Sequence, residues 1–422
     1  MKISLLVAWA AGLATLAGPA AGQTTRVWTS DSDQRWNRNQ NWSGNNQPDA
    51  NNEVAEFGTG NQLNPQLNAN NLTVRGLRFS AGAAGYTLGD DNGSRTLRIG
   101  NNSSGFIEQL SAATQTIAIS TLEFQRNSTI SATGAGALVI HSDLRASNRN
   151  LTFNAGADIT VSGRIMTGSG TLTKQGAGRL LLGGANTFTG TTVISAGAIV
   201  AQAAGIFADG NRIDIMAGAT LDLNGYAETV GRLMGEGTLD LGSAGTGRLR
   251  LGSGTSTFSG DIAGVGEIIV GAGATLALVG GFDNANVRIT LDGGTLRLSD
   301  ADLAFGALTV TGNSVIDFTT GPGSTLRADS LAFGAANVGL TVRNWTNAVD
   351  YFYTDTGYVQ GAAPLSQVTF TGWSSGSTKW QEYDGQITPV PEPPLQGALL
   401  LGAGLGWLLW RRRVGGRRAP VR

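Results

Sequence analysis

Residues 170–202 read Gly170-Thr-Leu-Thr-Lys174-Gln-Gly176-Ala-Gly178-Arg-Leu-Leu-Leu-Gly-Gly-Ala-Asn186-Thr-Phe188-Thr-Gly190-Thr-Thr-Val-Ile-Ser-Ala-Gly197-Ala-Ile-Val-Ala-Gln202. Apolar residues alternate with others for a few positions, small residues intervene, and the alternation restarts. Successive side chains of a strand point to opposite faces, so period two means one buried face and one wet face. The flanking Gly, Ala and Asn bound each segment with a turn.

The same rhythm extends in both directions. It recurs as Leu72-Thr73-Val74, Leu97-Arg98-Ile99, Leu151-Thr152-Phe153 and Ile159-Thr160-Val161, then as Ile213-Asp214-Ile215, Leu221-Asp222-Leu223, Leu239-Asp240-Leu241 and Leu249-Arg250-Leu251. Leu276-Ala277-Leu278, Leu296-Arg297-Leu298 and Leu308-Thr309-Val310 continue it, with 63 glycines in the chain and no proline between Pro65 and Pro322. Many very short strands with glycine turns admit a sandwich or a solenoid. Length favours the solenoid, because a coil packs only on its neighbours and has no size ceiling. Roughly 20–25 residues per coil gives about a dozen coils over residues 60–340. Stacked Leu, Ile and Val then fill a narrow interior, each contributing roughly 1.5–3 kcal/mol.

The quoted stretch resembles the autotransporter-associated β-strand repeat, with Leu-Thr-Lys, Gly-x-Gly, an apolar alternation, Gly-Ala-Asn-Thr-Phe-Thr-Gly and a second strand. A degenerate copy runs from Leu249 to Leu278, with Phe258-Ser259-Gly260 where Phe188-Thr189-Gly190 stands. The resemblance implies an all-β, right-handed parallel β-helix of passenger type. No run of alternating membrane strands follows the repeat, so the route of export is expected to lie in the tail.

That tail reads Val390-Pro391-Glu392-Pro393-Pro394, then an apolar run from Leu395 to Trp410, then Arg411-Arg412-Arg413. Proline cannot continue a helix, so a membrane segment starts after Pro394 and spans about 17 residues, the short end of what crosses a bilayer. The arginines then hold the extreme C-terminus in the cytoplasm and leave the bulk of the chain outside. This order resembles the PEP-CTERM sorting signal of Gram-negative bacteria that make exopolysaccharide. The resemblance implies recognition and removal of the tail by an exosortase. At the other end, Lys2, the apolar stretch Ile3 to Leu16 and Ala20-Ala21-Gly22 read as a signal peptide for Sec-type export, with Gln23 the mature start.

The expected organisation is a signal peptide (1–22), a Trp/Asn-rich N-terminal cap (23–60), a β-solenoid (61–343), an aromatic C-terminal cap (344–389) and the sorting signal with its single transmembrane helix (390–422). Trp28, Trp36 and Trp42 open the chain, and Trp345, Trp373 and Trp380 with Tyr351, Phe352, Tyr353 and Tyr358 close it. A solenoid exposes its last coil's apolar face and strand edge, so aromatic caps are expected. A second reading of the same rings is a platform for extracellular polysaccharide.

Chemistry is thinly marked. The chain has no cysteine, which excludes thiol catalysis and disulfide staples, and the one histidine, His141, cannot build a multi-histidine metal site. His141 is read as a strand-end surface residue. Asp222, Asp240 and Asp317 are read as solvated strand positions; a rival reading makes the protein a β-helical polysaccharide lyase or glycoside hydrolase using such Asp residues. Asp31/Asp33, Asp90/Asp91 and Asp300/Asp302 carry oxygen ligands suited to calcium but lack the repeat that marks such sites. No catalytic, cofactor or metal site is expected. Without Lys2, Glu392 and the six tail arginines, 22 basic and 29 acidic residues leave a charge of −7, which argues against nucleic acid.

Overall fold

The structure, a computed structural model, describes residues 23–389 apart from 320, 375–376 and 383. The expected signal peptide, and the sorting motif Val390, Pro391, Glu392, Pro393 with its cluster Arg411, Arg412, Arg413, lie outside the described residues. The chain divides into two compact units, up to Asn211 and from Arg212 onward. Each is a parallel β-solenoid with three strands per coil. Among the described residues, helix is limited to the short turns Asn39–Asn41, Ser43–Asn45 and Leu365–Gln367.

In the first unit, one face stacks Thr24–Val27, Glu53–Phe57, Gly76–Phe79, Phe106–Gln109, Ser128–Ala132, Leu151–Ala155, Leu172–Gln175 and Thr192–Ile194, all parallel. A second face runs from Gln66–Leu67 to Ala198–Ala201, and a third from Leu72–Val74 to Ile165–Met166. Leu151 faces Leu172, 21 residues on, and Leu172 faces Thr192, 20 residues on. Inward side chains thus stack in columns. Leu77, Ile107, Ile130 and Phe153 form one fully buried column.

The second unit repeats this plan. One face runs from Arg212–Ile215 through Gly254–Phe258 to Val368–Phe370. Another begins at Ala227–Val230 and passes through Gly266–Gly271 and Val287–Asp292. The remaining face carries Thr220–Asp222, Thr238–Asp240, Asp261–Ala263, part of Ala274–Asn284, part of Thr295–Gly312, part of Thr325–Phe333 and Tyr351–Thr354.

Not every strand is short. Thr295–Gly312 runs for 18 residues and serves all three faces, and its first corner is a bulge. Val279 pairs with Ser299 and Gly280 with Ala301, so Asp300 is the extra residue, at φ +50°. A bulge turns the strand without breaking its ladder, and Asp tolerates the left-handed conformation better than most.

Arginine–aspartate clips tie successive coils at the corners of the first unit. Arg164 donates through its backbone N–H (3.0 Å) and Nη2 (2.6 Å) to Asp143, 21 residues earlier. Arg179 does the same to Asp158, at 3.1 and 2.6 Å.

Aromatic side chains pack together near both ends of the described residues. Trp28, Trp36 and Trp42 are buried, with Trp28–Trp42 and Trp36–Trp42 centroids 5.0 and 4.8 Å apart. Trp42 Nε1 donates to the Trp36 carbonyl at 2.7 Å and Trp28 Nε1 to that of Gln62 at 2.8 Å. In the second unit Trp345 sits edge-on between Phe318 and Phe370, 5.1 Å from each. The hairpin Thr378–Trp380 with Ile387–Pro389 is antiparallel, and Gln386 bridges to Tyr353.

Candidate functional site

Alternation decides which side chains leave the solenoid. On the face of the second unit that starts at Thr220–Asp222, Leu221, Leu239 and Ile262 are buried. Their neighbours Asp222 and Asp240 face outward in register, as do Thr238 and Asp261. Further along, Leu303, Leu326 and Phe352 are the buried column. Gly281, Asp302, Thr325 and Tyr351 then make one outward row, and Asp283, Ala304, Arg327 and Tyr353 the next.

Two shallow clefts open on this face. One, of about 460 Å³, is lined by Asp222, Asn224, Asp240, Ser243, Asn284 and Asn286. Both aspartates are held by their own turns. The Asn224 N–H donates to Asp222 Oδ1 at 2.7 Å and the Gly242 N–H to Asp240 Oδ1 at 2.8 Å. Asn284 Nδ2 reaches across a coil to the carbonyls of Ile262 (3.2 Å) and Gly264 (3.1 Å). The other cleft, of about 380 Å³, lies among Gly281, Asp283, Asp302, Ala304, Thr325 and Arg327. It ends at two half-buried tyrosines, Tyr351 and Tyr353, whose rings are parallel within 5° and 5.7 Å apart. The Arg327 guanidinium lies 4.8 Å from the Tyr353 centroid and pairs with Asp355 at 3.3 Å.

The residues singled out in the sequence fare differently. The three N-terminal tryptophans are buried against one another and Phe57, so they present no free face to a sugar. His141 is exposed, as expected, and its Nδ1 lies 2.7 Å from Ser162 Oγ. The adjacent acid, Asp143, is committed to Arg164, so these three do not form a relay. Of the paired aspartates, Asp33 is clamped by Arg35 and Arg38, and Asp91 by Arg95. Asp90 accepts from the Ser120 N–H and hydroxyl at 2.7 and 2.6 Å.

Asp317 is not a solvated position. It is buried and lies in register between Arg297 and Arg343, 3.2 and 3.0 Å away, with Asn344 Nδ2 at 2.6 Å. Burial alone would raise its proton affinity, but these donors outweigh it and hold the carboxyl below its ordinary range. The degenerate copy also departs from its parent. Phe188 and Phe258 are both fully buried, but Phe188 lies in an irregular segment and Phe258 closes a strand.

Lys174 is the residue whose importance the sequence reading passed over. Leu172 points inward, so Lys174, two residues on, does too; the phase alone could have shown it. It is fully buried between Phe153 and Ile194. Its Nζ donates to the carbonyls of Gln175 (3.0 Å), Gly176 (2.8 Å) and Ala196 (3.0 Å). Those groups belong to two successive corners, so the ammonium closes the turns and links the coils. Burial pushes its pKa down to about 8.

Comparison with known proteins agrees with this geometry. The passenger-associated-transport-repeat model matches residues 172–201. The chain is also 32% identical over 214 residues, 46% of its length, to the adhesin BmaC autotransporter of Brucella suis biovar 1 (strain 1330). The match spans only 6% of that much longer relative. No solved structure matches. The described residues thus form a parallel β-solenoid that carries a passenger-associated transport repeat and is similar, over nearly half of the chain, to an autotransporter adhesin.

Proposed function

We propose that this protein is exported and displayed at the bacterial surface as a non-enzymatic, adhesin-like β-solenoid. The observation that carries the reading is the 214-residue similarity to an adhesin, in a chain folded as a parallel β-solenoid. Delivery runs through the C-terminal tail. An exosortase recognises Val390-Pro391-Glu392-Pro393, the apolar run holds the chain transiently in the inner membrane, and Arg411, Arg412 and Arg413 stop transfer. The mature protein then joins the exopolysaccharide or biofilm matrix. Its net negative charge suits an outward-facing scaffold and disfavours nucleic acid.

The test of delivery is Pro391→Ala with Glu392→Ala in the native host. Fractionation and intact mass should show the unprocessed chain retained in the membrane fraction, against a shortened wild type. An unchanged location and mass would remove the sorting step. The test of the non-enzymatic reading is incubation with pectin, alginate and host exopolysaccharide. Product release abolished by Asp240→Asn would establish a polysaccharide-degrading enzyme instead.

A further inference from the structure

We infer that the aspartate- and tyrosine-bearing face of the second unit is a binding site for a neutral, hydroxyl-rich glycan chain lying across the coils. The inference deepens the adhesion reading and rests on its outward display.

The face is shaped for an extended ligand. Gly281, Ala304 and Thr325 are small outward residues, and they leave a trough along the stacking direction. Coils repeat every ~4.8 Å, comparable to the length of one sugar unit, so an acceptor on each of several coils, set in one or the other outward row, falls in step with successive rings. Those acceptors are carboxylates: Asp222 and Asp240 in the first cleft, Asp261 beyond it, and Asp283 and Asp302 in the second. A carboxylate accepts from sugar hydroxyls, and Asn286 and Ser243 add groups that both donate and accept.

The tyrosine pair supplies the apolar contact. Aromatic rings with a wet edge suit a ligand with one apolar face and a polar rim, which describes a pyranose. Tyr351 and Tyr353 stand parallel at the end of the trough, with Arg327 braced against Tyr353. Charge then sets the class. Five aspartates face one arginine that is already paired with Asp355, so a uronate polymer would be repelled and a neutral one admitted.

The experiment is native affinity electrophoresis of the protein as exported by its host. Gels contain hydroxyethylcellulose or galactomannan as neutral probes, or alginate as the anionic one. We expect retardation by a neutral probe and none by alginate. Tyr351→Ala with Tyr353→Ala should weaken the neutral interaction at least tenfold, and Tyr351→Phe with Tyr353→Phe should keep it. Asp302→Lys, at an exposed position, should weaken the neutral interaction and introduce retardation by alginate. No retardation by either neutral probe, retardation unaffected by both the alanine pair and the lysine, or stronger retardation by alginate in the wild type would each overturn the site. Protease shaving of intact cells reads display separately. A displayed protein that ignores neutral polymers removes the glycan site alone, and a binder that is never displayed removes the display reading alone.

Discussion

The hydroxyl of Tyr358 accepts a hydrogen bond from the backbone N–H of Leu331 at 2.6 Å and donates one back to the carbonyl of the same residue at 3.1 Å. One side chain so replaces the missing next strand at that point of Thr325–Phe333. An unpaired strand edge invites pairing with another chain, and solenoids meet that hazard with caps.

Tyr358→Phe should therefore leave the Leu331 amide and carbonyl without partners, at a cost of about 1–2 kcal/mol. Hydrogen exchange at residue 331 is the direct measurement, and light scattering reads any gain in self-association. Unchanged exchange at that amide would show that the hydroxyl does not close the edge.

Lys174 makes stability depend on alkaline pH. Its pKa is about 8 in the folded chain against 10.5 for a free lysine. Between these values the unfolded chain holds more protons, so stability rises with pH across that window, by at most about 3 kcal/mol. Below pH 8 the desolvation penalty is present in full. Lys174→Met should abolish the rise. At pH 7 the loss of the donor to three carbonyls, about 1–3 kcal/mol, opposes the relief of that penalty, so relative to wild type the variant should be less stable at pH 10 than at pH 7. Denaturation midpoints at pH 7, 9 and 10, for both proteins, decide this. A rise that persists unchanged in the variant would assign it elsewhere.

The carboxylates act at the other end of the scale. Asp143, Asp158 and Asp317 are all held below the 3.8 of a free aspartate, Asp143 and Asp158 chiefly by the side-chain hydrogen bonds of Arg164 and Arg179. A depressed folded pKa contributes stability that is complete above 3.8 and is lost as pH falls through the folded values. Acid unfolding should begin below about pH 4 and shift upward in Asp317→Asn, which keeps the shape but removes the charge between two arginines. An acid transition at the same pH in wild type and variant would contradict this account.

Glycine is demanded at some corners and not at others. A Cβ on Gly163 would collide with the Ser142 carbonyl of the preceding coil, whereas one on Gly210 meets nothing within 4 Å. Gly163→Ala should destabilise by about 2 kcal/mol and Gly210→Ala should be neutral or slightly stabilising. Melting temperatures of the two variants give the comparison, and equal shifts would refute it.

The sequence by itself determined the strands and the phase within each. Alternation such as Leu97-Arg98-Ile99 is local chemistry: apolar side chains reach the interior only at every second position, and Gly or Asn must follow where the chain turns. The same reasoning placed aromatics at both ends as caps. It could not say which strand stacks on which. That depends on coil length, and a period-two signal looks the same on all three faces. Phe188 and Phe258 consequently share a motif without sharing a local structure. The partners of Asp317, the Ala196 carbonyl that joins those of Gln175 and Gly176 around Lys174, and the alignment of Asp302 with Tyr351 through Thr325 all come from residues one or two coils away. Only the stacking of coils, a non-local consequence of burying the apolar columns, brings them together.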